Sequence, residues 1–262
     1  MGALSFNNPN VQQLRRLLGR RSARHGDGQF VVEGPVLTAE AVAAGWTCLA
    51  QYVPEGAGDE AVAGAGPVNE LGPGVLERVA STDSPQPPLT VVKMPTRDAG
   101  PVLSDASFVI ALDRVQDPGN VGTILRSAEA AGADVVVLTP GSVDPFNPKV
   151  VRASAGALFH LPVVTASYDD LAAAGLRVVG TSSHDGAGRT VTPHDEADWR
   201  GRIALVMGNE AAGLPAEWDD DVGPIDTWVT IRQRGRGESL NVAMATTVLA
   251  FEAARHRQPP DA

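Results

Sequence analysis

Three short segments hold the polar residues whose types and spacing could do chemistry. They span 120–126, 208–210 and 238–242, and read Asn-Val-Gly-Thr-Ile-Leu-Arg, Gly-Asn-Glu and Glu-Ser-Leu-Asn-Val. Each member also has a plain structural use. Asn120 suits the start of a helix, and Ser239 and Asn241 bracket the start of another, because such side chains accept from the free N–H groups of a first turn. Glu210 follows an apolar strand and suits a cap on the next turn. Arg126 stands seven residues beyond Gly119, about two turns into a helix, where it could simply face water. An arginine stays protonated at any accessible pH, so the chemistry open to it is orientation and charge stabilisation rather than proton abstraction.

Two common phosphate-binding devices are missing. A dinucleotide site needs a G-x-G-x-x-G turn after the first strand and an acidic residue ending the second. Here the turn is Asp117-Pro118-Gly119-Asn120-Val121-Gly122, and the second strand runs into Thr139-Pro140. A P-loop is absent too, since no Gly-Lys-Ser/Thr occurs.

Taken together and in order, the three segments resemble the SpoU family of RNA ribose 2'-O-methyltransferases. The resemblance implies catalytic duties for Arg126, Asn120, Glu210, Ser239 and Asn241, with Glu210 and Asn120 holding Arg126 in place. It implies S-adenosylmethionine as cofactor, bound by Gly208, Ile231 and Leu240, and no metal. It also implies a deep trefoil knot in the C-terminal domain and a homodimer formed through that domain. The implied reaction is direct displacement by a ribose 2'-hydroxyl on the sulfonium methyl. A hydroxyl is a weak nucleophile at neutral pH, so its proton must be removed or the developing alkoxide stabilised. Arg126 would orient the hydroxyl and stabilise the charge while the proton passes to a phosphate or water. The chain departs from the commoner Ile-Pro-Met and Asn-Val-Ser endings of the last motif: Arg232 and Gln233 follow Ile231, and Ala243 follows Val242. Without the proline this loop is expected to be less rigid.

The elements needed to position these residues can be traced along the chain. Residues 9–24 show the i, i+3, i+4 spacing of an amphipathic helix, with Val11, Leu14, Leu17 and Leu18 on one side. A strand at 30–33, a helix at 36–44, a strand at 48–53, a helix at 71–80 and a strand at 89–92 follow. This unit, 1–95, resembles the substrate-binding domain of SpoU members, which is similar to a ribosomal-protein RNA-binding fold. Residues 96–106 carry Pro, Gly, Asp and Ser without apolar periodicity and read as a linker. From 107 to 262 near-continuous apolar strands alternate with helices, the pattern of an α/β domain with a parallel sheet covered on both faces.

Composition sets the outer bounds. A chain of 262 residues with 43% hydrophobic content can bury the cores of one or two domains. Cys48 is the sole cysteine, which excludes an internal disulfide and argues against cysteine-held zinc; a small buried apolar role is expected for it. No apolar run nears the roughly 20 residues needed to cross a bilayer, and the N-terminus lacks the charged-then-apolar order of a secretory signal. A cytoplasmic location is therefore expected. The net charge of -10 seems unsuited to an RNA partner, because phosphate affinity comes from Lys and Arg. Distribution reverses that inference. No acidic residue precedes Asp27, while Arg15, Arg16, Arg20, Arg21 and Arg24 do, and arginine matches phosphate bidentately. These five are the expected RNA contacts, and Arg232, Arg234 and Arg236 form a second cluster. Because SpoU members that act on transfer RNA often lack the added N-terminal domain, the resemblance implies 23S ribosomal RNA as substrate. Transfer RNA is the alternative, as is a catalytically silent RNA-binding or ribosome-assembly protein.

Overall fold

The computed structural model describes residues 2–182, 190–215, 218, 223–236 and 239–257. Two units are distinguished by their internal contacts: one takes the chain up to Thr96 together with Asp144–His160, the other takes Arg97–Val143 and Leu161 onward.

In the first unit, helix α1 (Pro9–Gly19) starts where Asn8 accepts the N–H of Asn10 at 2.9 Å and Pro9 fits the first turn. It buries Val11, Leu14, Leu17 and Leu18. The single helix expected over 9–24 is in fact two. Arg20 adopts an extended conformation (φ -131°, ψ 121°) after Gly19, a poor helix former, and α2 (Arg21–Asp27) sets off anew until Gly28 ends it at φ 63°. A four-stranded sheet follows in the order β1 (Gln29–Glu33), β4 (Leu89–Lys93), β2 (Cys48–Pro54), β3 (Val68–Leu71). Its pairings are antiparallel except β2 with β3. Helix α3 (Pro35–Ala43) joins β1 to β2. The helix expected over 71–80 shrinks to α4 (Val75–Val79), because Gly72-Pro73-Gly74 intervenes with Gly74 at φ 70°, and Leu71 instead ends β3. Cys48 is half-buried rather than buried, and that burial still raises its thiol pKa.

The segment Asp144–His160 contributes α7 (Pro148–Ala153) and α8 (Ala157–His160) to this same unit. Phe146 lies 4.9 Å from the Phe30 ring, Phe159 lies 5.3 Å from that of Trp46, and the Trp46 indole N–H donates to the Phe159 carbonyl at 2.9 Å. The sequence pattern assigns 144–160 to the C-terminal domain, whereas its packing belongs to the first unit.

The second unit is built on a seven-stranded sheet in the order β7-β6-β5-β10-β8-β11-β9, with every pairing parallel. Its strands are β5 (Phe108–Leu112), β6 (Val135–Leu138), β7 (Val163–Thr165), β8 (Arg177–Thr181), β9 (Val191–Pro193), β10 (Ile203–Met207) and β11 (Thr227–Thr230). Strands β5 and β10 are buried at every position, as central parallel strands with helices on both faces must be. Helices α5 (Ala99–Asp105), α6 (Pro118–Ala130), α9 (Tyr168–Ala173) and α10 (Val242–Arg257) belong to this unit. The linker expected at 96–106 thus contains α5, capped by Asp98 and anchored by the fully buried Leu103. Strand β9 escaped sequence reading because it is short and ends in Pro193, a residue confined to sheet edges.

Candidate active site

The carboxyl ends of β5 and β10 are neighbours in the sheet; the segment after β5 leads into α6, which carries the first motif, and the loop after β10 carries the second. Asp117, not Asn120, caps α6: its side chain accepts the Asn120 backbone N–H at 2.8 Å, and Pro118 occupies the first turn. That division of labour frees the Asn120 side chain. Its Nδ2 donates to Glu210 Oε1 at 3.1 Å, and its Oδ1 accepts from Asn241 Nδ2 at 3.0 Å. Asn241 also caps α10 through Oδ1, which accepts the N–H of Ala243 at 2.9 Å and of Met244 at 3.3 Å. One side chain therefore both starts the last helix and ties it to the first motif.

Glu210 is the hub. Besides Asn120 it accepts the backbone N–H of Asp117 at 3.0 Å and of Gln116 at 3.3 Å. Burial alone would raise its pKa, but these hydrogen bonds together outweigh that penalty and hold the carboxyl below its usual value. The ionised carboxylate is thus the form the loops are built around.

Several supporting residues were not foreseen. Asn209 folds its loop into a tight turn, accepting the N–H of Ala211 and Ala212 at 3.0 Å each, and its Nδ2 donates to the Arg114 carbonyl at 2.8 Å. The signal was available, since Asn followed by small residues and Gly213 favours such a side-chain turn. Arg114 sits at φ 52°, a conformation rare for a side-chain-bearing residue, and is fixed there by Thr139 Oγ1 at its N–H and by Asp113 at its guanidinium. Nothing in the sequence marks that strain.

A cavity of about 390 Å³ opens beside this network and is lined by Gly208, Ile231 and Leu240, the three expected cofactor positions, and by Ser239. Gly208 is required there. A Cβ on it would fall 2.4 Å from the Gly213 carbonyl carbon and 2.5 Å from the Leu214 nitrogen, inside van der Waals contact with backbone. Ser239 is exposed and makes no hydrogen bond with any described residue, and Glu238 lies outside the described residues.

Arg126 departs from expectation. It is exposed on α6 and makes no hydrogen bond or ion pair with a described residue. Six residues of helix place it roughly 240° around the axis and about 9 Å along it from Asn120. Glu210 and Asn120 accordingly hold each other, Asn241 and the preceding loop, not Arg126.

Among the expected RNA contacts, Arg15, Arg16, Arg20 and Arg21 are exposed. Arg24 is only 3% exposed, 2.6 Å from Asp144, and donates to the Leu17 carbonyl at 2.8 Å. That correction follows from the break at Arg20, which turns α2 so that Arg24 points inward. In the other cluster Arg232 pairs with Asp195 and Glu196, while Arg234 and Arg236 are exposed.

A parallel α/β sheet whose carboxyl-end loops assemble an asparagine–glutamate network beside a cavity defines an α/β protein with an enzyme-like site. Residues 107–251 match the SpoU rRNA Methylase family, and residues 8–90 match an MRM3-like substrate binding domain. The chain belongs to the SpoU rRNA methylase family. It is 40% identical over 177 residues to the 23S rRNA (guanosine(2553)-2'-O)-methyltransferase of Bacillus subtilis, a match spanning 66% of each chain. To the 23S rRNA (uridine(2479)-2'-O)-methyltransferase of Streptomyces viridochromogenes it is 30% identical, over 97% of this chain and 92% of that one. Among solved structures, an AdoMet-bound rRNA methyltransferase from Sinorhizobium meliloti superposes with a TM-score of 0.82 at 32% identity, covering 98% and 99% of the two chains.

Proposed function

We propose that the protein transfers a methyl group from S-adenosylmethionine to a ribose 2'-hydroxyl of 23S ribosomal RNA. The observation that carries this reading is the hydrogen-bond chain Glu210–Asn120–Asn241, which joins all three motifs beside one cavity. Residues 1–95 would bind the RNA substrate, 107–262 would perform the chemistry, and 96–106 with its helix α5 would join them.

The cavity fits the cofactor. Close backbone approach at Gly208 and the apolar side chains of Ile231 and Leu240 give a narrow bed suited to a flat purine, with loop backbone groups at its edge. When bound, adenosylmethionine supplies an electrophilic methyl group. The residues of the chain do the rest. Glu210, held ionised, keeps the loop before α6 and the start of α10 in register, and Asn120 transmits that order between them. Arg126 orients the substrate hydroxyl and stabilises the charge that grows on its oxygen, with the proton leaving to an RNA phosphate or water. Ser239, exposed at the cavity wall, is free to meet the ribose.

The chain works as a homodimer through its C-terminal domain. Met244, Val248 and Phe251 lie on one exposed stripe of α10 at spacings of four and three residues. Such a face needs a cover, and a second copy supplies one. Arg126 stands on α6, which packs against α10 through the Ser127–Thr247 hydroxyl pair at 2.6 Å, so the same association would give Arg126 a site to serve.

A trefoil-knotted path for the C-terminal domain and a ribosomal-protein-like fold for the N-terminal one complete the proposal. Membership of the SpoU family supports the first, and the mixed four-stranded sheet with its flanking helices supports the second. A crystal structure with the chain after β11 running outside every earlier loop would remove the knot. No helix of the described residues is long and apolar enough to cross a membrane, and cell fractionation should find the protein with the cytoplasmic ribosome pool.

The deciding experiment incubates the protein with adenosylmethionine and 23S RNA from cells lacking the gene, then maps ribose methylation. One new 2'-O-methyl site is expected. Methylation appearing on transfer RNA alone would move the substrate, and none on any RNA would end the enzymatic reading in favour of a silent RNA-binding protein.

A further inference from the structure

We propose that Arg78, stacked on Phe6, is a base platform beside an arginine-lined phosphate hollow, so that the N-terminal unit takes an unpaired nucleotide of its RNA. This rests on the RNA reading above and specifies what part of the RNA the unit holds.

The hollow comes first. Arg15 and Arg16 from α1, Arg20 from the break after it and Arg78 from α4 line one cavity of about 550 Å³ together with Gln12 and Ser81. No carboxylate lines it. All four arginines are exposed, and none makes a hydrogen bond or ion pair with a described residue. Four like charges around one space repel each other until an anion enters. A guanidinium fork is the side chain best shaped to receive a phosphate.

The platform is a separate observation. The guanidinium carbon of Arg78 lies 3.7 Å from the centre of the Phe6 ring, the distance of one flat group lying on another, and Arg15 is 5.6 Å from the same centre. Phe6 thus fixes the plane of Arg78 while leaving that residue exposed. A fixed, exposed guanidinium plane is a surface on which a nucleobase stacks.

The two features meet at one residue. A second cavity of about 620 Å³ is lined by Phe6, Asn7, Ser5, Glu55 and Arg78, and Arg78 borders both spaces. The first space holds only cationic and neutral groups. The second offers Asn7, Ser5 and Glu55, donors and acceptors of the kind that read a base edge. A nucleotide has this same division, an anionic phosphate joined to a flat hydrogen-bonding base. In a duplex the base faces are occupied by their neighbours, so only a nucleotide in a loop, bulge or end can use both.

The test compares full-length protein binding to a hairpin with an unpaired loop and to a blunt duplex of equal length, across several salt concentrations. Arg78→Lys keeps the charge and discards the plane; Phe6→Leu keeps the apolar filling and discards the ring. Each variant should lose about 10-fold in loop affinity, the scale of one stacked base, and stay within about twofold for the duplex, with unchanged melting temperature. Changing Arg15, Arg16 and Arg20 to Gln should instead weaken both RNAs and flatten the salt dependence. If Arg78→Lys matches wild type on the loop, or weakens loop and duplex equally, the platform is overturned while RNA binding stands. If wild type binds neither RNA yet binds adenosylmethionine, the RNA reading falls, and the platform with it.

Discussion

Arg126 and Glu210 divide the work of the site between a free cation and a fully engaged anion. Because Arg126 has no partner among the described residues, Arg126→Ala removes nothing the fold depends on. Methyl transfer should drop by about 10²-fold or more, the effect of deleting one group that stabilises transition-state charge. Adenosylmethionine affinity by calorimetry should stay near wild type, and wild-type turnover would reduce Arg126 to surface charge. Glu210 should behave in the opposite way. Its folded-state pKa lies below the unfolded value because Asp117, Asn120 and Gln116 donate to it against the penalty of burial. A depressed carboxyl pKa stabilises the fold above the unfolded pKa, and that contribution is lost as pH falls through the folded value. Glu210→Gln should therefore melt lower at pH 7 and lose less on acidification below about pH 4.5 than wild type. Parallel acid profiles for the two proteins would show that the carboxylate has no such role.

At the scale of elements, the long apolar strands and the three motifs were legible in the sequence because they obey local rules, whereas the short β3 and β9 were not. Short continuous runs such as Val-Ile-Ala-Leu and Ala-Leu-Val-Met suit central parallel strands buried on both faces. The misses share another cause, namely that distant residues decided them. Asn120 looked like a cap until Asp117 was seen to take that duty, and a break at one residue, Arg20, turned Arg24 from surface charge into a buried partner of Asp144. Helix α10 begins just after Ser239 and Asn241, as their types suggest, yet spacing alone could not say that Met244, Val248 and Phe251 stay uncovered while Ala243, Thr246, Leu249 and Ala250 are buried. If a second copy covers that stripe, the pair Val248→Asp and Phe251→Asp should yield a folded monomer, since a charge in an apolar interface is costly and on a free surface is not. Light scattering at micromolar concentration reads the mass. A wild-type monomer, or a dimer that survives both changes, would remove the interface from α10.

The organisation of the whole molecule was the least legible, because the segment between β6 and β7 belongs to the unit that precedes them in sequence. Helical periodicity at 148–156 says nothing about which sheet will receive it. Asp144 is the residue on which this arrangement turns. It is buried, lies 2.6 Å from the equally buried Arg24, faces His25 at 3.3 Å, and accepts the Phe146 N–H at 3.1 Å. Removing one member of a buried ion pair leaves the other charge uncompensated, which costs about 3–5 kcal/mol. Asp144→Ala should therefore destabilise the first unit by that amount, although position 144 falls within the stretch matched to the methylase family. The same reasoning bears on truncation. A chain ending at Thr96 would lack Phe146 and Phe159 against Phe30 and Trp46 and would leave Arg24 buried without its partner, so it should melt without a cooperative transition. Urea unfolding of Asp144→Ala and thermal melting of residues 1–96 check the two expectations separately. A loss under about 1 kcal/mol in the first, or a sharp transition in the second, would mean that the N-terminal fold is complete without the segment the later sequence sends back to it.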